Sequence, residues 1–110
     1  MFDFLKMGEM MKQAKQLQER MQAMQEEMAR RQISADAAGG SVVATVNGRM
    51  ELINIAIDKS KINPADTEML EQLIVSAVTA AQAKAAVALK EEMTKVTAGL
   101  PIPPGMLPGM

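Results

Sequence analysis

Apolar residues recur every three or four positions along the first third of the chain. Met7, Met10, Ala14, Leu17, Met21, Met24 and Met28 stand in a proline-free run of Gln, Glu, Lys and Met from about Gly8 to Arg31. Alternating gaps of three and four make a narrow heptad seam, so this run predicts a helix that meets another helix along one side. At 24 residues it would be roughly 36 Å long, more than a small domain can cover, so part of it is expected to project or meet another chain. The pattern then changes period. Gln32–Ala38, with Ile33, Ala35 and Ala37 on one face, predicts a short strand, and Gly39-Gly40 a turn. Ser41–Val46 predicts a second strand. Asn47-Gly48 predicts a two-residue hairpin with both central residues at positive φ, leading into a third strand from about Arg49 to Asp58. In that third strand Ile53, Ile55 and Ile57 alternate with Leu52 and Ala56, so both sheet faces are expected to need covers, the second from a partner subunit.

Asn63-Pro64-Ala65-Asp66 predicts the start of a second long helix, with Asn as cap and Pro in the first turn. It runs through Leu70, Leu73, Ile74, Ala77 and Ala81 to Leu89, Met93 and Val96, and Gly99 is its expected stop. Residues 1–98 therefore read as one α+β domain of α-β-β-β-α order, with a three-stranded antiparallel meander and two long helices. Residues 99–110 read as a Pro/Gly/Met-rich tail that prolines keep from being helical.

Composition changes the picture in two ways. Of 110 residues 48% are hydrophobic, but only Phe2 and Phe4 are aromatic, and twelve methionines fill the volume instead. A core without large rings buries less area, which favours self-association. There is also no cysteine and no histidine. This excludes disulfides and thiolate metal sites and removes the commonest general base, so the chain is expected to bind rather than catalyse, with no catalytic residue, metal, cofactor or small-molecule substrate. Gly39-Gly40 has no helix after it, unlike a phosphate-cradling loop. No stretch is expected to reach the ~20 apolar residues of a membrane span, and the first fifteen residues lack the pattern of a secretory signal. A cytoplasmic protein that does not engage membranes is the expectation.

A net charge of −1 argues against a general basic coat for nucleic acid, but not against a local patch. Between Met10 and Gln25, Lys12, Lys15 and Arg20 face only Glu19, among several glutamines. Such a surface suits phosphates and base edges, although a solvated polar face is the plainer account of the same residues. The seam of Met10, Ala14, Leu17, Met21, Met24 and Met28 reads first as helix–helix or dimer contact. The alternative is a protein-interaction module that uses this seam or the Pro-rich tail to hold a partner protein.

These segments together resemble the YbaB/EbfC family of bacterial nucleoid-associated proteins. The resemblance rests on Met11-Lys12-Gln13-Ala14, Gln18-Glu19-Arg20-Met21 and Met24-Gln25-Glu26-Glu27, then Ala38-Gly39-Gly40 and Val46-Asn47-Gly48. Ile57-Asp58, Glu68-Met69-Leu70-Glu71, Leu73-Ile74-Val75, Glu91-Glu92-Met93, Ala98-Gly99 and Pro103-Pro104-Gly105 continue it in order over nearly the whole chain. It implies a homodimer with protruding helices that binds double-stranded DNA in the cytoplasmic nucleoid and acts in nucleoid organisation and gene regulation. The residues it places toward DNA are Lys12, Lys15 and Arg20 on the first helix, with Lys84 and Lys90 on the second.

Overall fold

In a computed structural model, which describes residues 4–98, the chain runs α1 (Phe4–Arg30), β1 (Gln32–Ala37), β2 (Val42–Asn47), β3 (Leu52–Ile57) and α2 (Thr67–Thr97). This is the expected α-β-β-β-α order, with α1 starting four residues earlier than its seam suggested. The tail and Gly99 lie outside the described residues. The strands form an antiparallel meander with β2 in the centre.

One face of the sheet packs on the first half of α2. Ala35, Val42, Ala44 and Val46 meet Ala77, Ala81 and Ala85, all buried, with Ile33, Ala37, Leu70, Leu73, Ile74 and Val78 around them. Alanines four apart form a smooth stripe that lets the helix lie close to the strands. The opposite face is only partly apolar. Cross-strand neighbours share a face, and here they are Ser34 with Thr45, Asp36 with Val43, Val43 with Ala56 and Thr45 with Asn54, so Val43 and Ala56 stand among polar residues. The Ser34 and Thr45 hydroxyls bond each other at 2.7 Å. A bulge between Thr45 and Val46 pairs Leu52 with Val46, so Leu52 is drawn to the α2 side instead of alternating away from it.

The β2–β3 connection also departs from expectation. Met50 N–H donates to the Asn47 carbonyl at 3.0 Å, and Met50, not Gly48, holds the positive φ of 65°. This is a type I turn followed by a left-handed residue, with Asn47 as organiser: its Oδ1 accepts from the backbone N–H of Arg49 at 2.9 Å and Glu51 at 3.1 Å. Gly48 is needed for close approach. Its N–H donates to the Met28 carbonyl at 2.8 Å, and a Cβ there would stand 2.6 Å from Met28 Cε and 2.7 Å from that carbonyl oxygen. The end of α1 is thereby clamped to the hairpin.

At α2 the cap is Asp66, whose carboxylate accepts from Met69 N–H at 3.1 Å. Asn63 instead closes a separate turn, accepting from Ala65 N–H through its side chain and from Asp66 N–H through its carbonyl. The expected helix start is therefore moved three to four residues on. The membrane expectation needs correction as well, because α2 contains an 18-residue window long and apolar enough to cross a bilayer. Along α2, Ala77, Ala81 and Ala85 are sealed against the chain's own sheet, while Val75 and Val87 are exposed.

Candidate nucleic-acid interface

Beyond the sheet, α2 continues as one side of an arm whose other side is α1. Met24 and Met28 are buried against Ala88 and Val96, with Leu17, Met21, Leu89 and Met93 half-buried around them. Arg31, just past α1, pairs with Glu92 at 3.6 Å. At the foot of the arm an open groove of about 590 Å³ is lined by Met21, Met28, Leu89, Met93 and the hairpin residues Gly48 and Met50. The seam is thus a helix–helix contact within the chain over its lower half. Its upper half is open: Met10 is 68% exposed, and Met7 and Ala14 are exposed too. The molecule measures 76 × 23 × 17 Å as a result.

Exposed charges line α1. Lys12, Lys15 and Arg20 are all exposed; Lys12 and Lys15, three apart, lie opposite the seam, and Arg20 flanks it next to Met21. Lys6, exposed on the projecting stretch, flanks the seam next to Met7. Reading from Met10 onward missed it, although its place on the same uninterrupted helix would have included it. Lys6, Lys12, Lys15 and Arg20 outnumber Glu9 and Glu19 there, in a chain whose net charge is −1. Among the described residues none of these four cations takes part in an ion pair, so each can meet an external anion without breaking an internal bond. Exposed glutamines at 13, 16 and 18 supply donors and acceptors beside them.

The two α2 lysines sit differently. Lys84 lies over the sheet and its Nζ donates to the Ser34 carbonyl of β1 at 3.1 Å, so it anchors the helix to the strand edge. Lys90 is exposed on the α2 side of the arm and has no ion pair among the described residues. Asp58, in the loop after β3, is held below the ordinary carboxylate pKa by hydrogen bonds from the Ser60 hydroxyl and backbone N–H, with Lys61 nearby. That is loop capping and involves none of the α1 cations. No cluster of three His, Cys, Asp or Glu suited to a metal occurs among the described residues.

The structure is a two-layer α+β base carrying a long helical arm whose exposed cations make no ion pair among the described residues. The chain belongs to the YbaB/EbfC DNA-binding family, whose profile matches residues 3–100. It is 54% identical over 94 residues to a nucleoid-associated protein of Gemmatimonas aurantiaca, covering 86% of this chain and 90% of that one. It is 44% identical over 99 residues to one of Rhodospirillum rubrum, covering 90% and 92% respectively. The fold resembles the crystal structure of an uncharacterized Helicobacter pylori protein, with a TM-score of 0.58 at 22% identity over 67% of this chain and 86% of that one.

Proposed function

We propose that the chain works as a homodimer that binds double-stranded DNA in the bacterial nucleoid, organising it and influencing gene expression, by binding and not by catalysis. The observation that carries this reading is α1, with Lys6, Lys12 and Lys15 exposed on its projecting half, Arg20 exposed just below, and none of the four in an ion pair among the described residues, on a helix of a DNA-binding family. Contacts of this kind go to phosphates, so binding is steeply salt-dependent and weakly sequence-selective.

Pairing is supported at the other end of the molecule. α2 lies over β1 and β2, while β3 is an edge strand with Leu52 and Ile53 each 49% exposed and Ile57 37% exposed. An apolar open edge is a template for another strand, and a second copy would cover it and set two arms side by side.

The test is a salt titration of duplex binding by fluorescence anisotropy. A Lys12→Ala/Lys15→Ala variant should weaken binding to unrelated duplexes equally and flatten the log–log salt slope by about 1.8, at ~0.9 per phosphate contact. An unchanged slope moves the interface off α1, and no binding by the wild type at low salt removes the DNA reading. Light scattering should give a dimer that Ile53→Lys converts to monomer.

A further inference from the structure

The seam of α1 is continuous, but its cover is not. Leu17, Met21, Met24 and Met28 lie against α2, whereas Met7, Met10 and Ala14 continue the same spacing uncovered. The cover ends because α2 ends. Val96, in its last turn, packs in the cluster that includes Leu17 and Met21, and Thr97 is the last helical residue. The chain leaves the helix through Ala98 at φ −60°, ψ 130°, close to the polyproline II conformation. The following residues, 99–110, contain Pro101, Pro103, Pro104 and Pro108 with Leu100, Ile102, Met106 and Leu107, and no charged side chain.

We propose that residues 100–104 dock in cis along the open half of the seam, over Ala14, Met10 and Met7, and brace the projecting half of α1. Reach and direction both fit. From Leu17 to Met7 is roughly 15 Å along a helix, which a polyproline II segment spans in about five residues at ~3.1 Å each. Leaving α2 antiparallel to α1, the chain needs no reversal to run along it. The chemistry fits as well: a neutral apolar strap meets an apolar stripe, and methionine side chains adapt to the uneven surface of proline rings. Proline fixes the strap's backbone beforehand, so little ordering cost opposes docking. Attachment beside the seam gives the tail an effective concentration of order mM, ahead of any free competitor. Lys12 and Lys15 lie on the other side of α1 and remain open.

The native chain has no cysteine, which makes disulfide trapping clean. In a Met10→Cys/Ile102→Cys variant of the full chain, mild oxidation should form a bond within one chain, seen as a faster-migrating monomer on a non-reducing denaturing gel. A bond between chains assigns the tail to a second copy and overturns docking in cis, and absence of any bond overturns it too. Hydrogen exchange reads the same contact without cysteine. Leu100→Ser/Ile102→Ser should accelerate exchange at residues 10–16 about tenfold while leaving Ala77–Ala85 protected. Unchanged exchange at residues 10–16 overturns the proposal. Both readouts are made without DNA, so their outcome is separate from that of the salt titration.

Discussion

The two apolar clusters of this protein solve packing with opposite residues. At the sheet end, Ala35, Ala44, Ala77, Ala81 and Ala85 bring backbones together around Val42 and Val46. In the arm, Met24 and Met28 with Leu17, Met21, Leu89 and Met93 fill the space between two helices with long, pliant side chains. One helix, α2, serves both, changing from alanine at every fourth position to Leu89, Met93 and Val96. Small-residue contacts depend on distance, since an added methylene has nowhere to go, whereas methionine contacts accept changes of shape. The rigid end therefore holds the fold, and the adaptable end tolerates changes of shape.

Breaking the rigid end should produce the largest effect. Ala81→Leu forces a branched side chain between α2 and the strands and should destabilise the chain by about 3 kcal/mol, measured by chemical denaturation. Gly48→Ala should come next, at about 2 kcal/mol, because Met28's backbone carbonyl cannot retreat from the new Cβ without releasing the clamp on α1. By contrast Met24→Leu, in the arm, should cost less than about 1.5 kcal/mol. If Met24→Leu proves as harmful as Ala81→Leu, the contrast between the two clusters is wrong. The smallest effect belongs to Asp58. Its carboxyl is held below the ordinary value of 3.8, so its contribution is present above that pH and is lost as pH falls through the lowered folded-state value. The stability difference between wild type and Asp58→Asn should be constant near neutrality and narrow in acid.

Element order and type were legible because the period of the apolar pattern changes cleanly from seven to two and back. Local chemistry was less so. Asn47-Gly48 has the composition of a two-residue hairpin, but the glycine answers to Met28, twenty residues earlier, which only the tertiary contact reveals. Asn63 and Asp66 are both competent caps, and the chain uses one for a turn and the other for the helix. Leu52 changes face through a bulge, an irregularity that alternation cannot register. Among the candidate site residues, Lys12, Lys15 and Arg20 share the projecting helix as spacing implied. Lys84 looks equivalent in sequence but is engaged by a strand carbonyl, because its role depends on which part of α2 overlies the sheet.

The clamp between Gly48 and Met28 makes the arm a lever with its fulcrum at the hairpin. From Met28 to Lys6 the helix extends about 33 Å, so a tilt of roughly 5° at the fulcrum sweeps the tip through about 3 Å. In the proposed dimer, a shift too small to disturb the alanine packing below would thus become a change in the gap between opposed tips. A dimer of the proposed kind would follow variation in the width and curvature of a duplex without unfolding any part of itself.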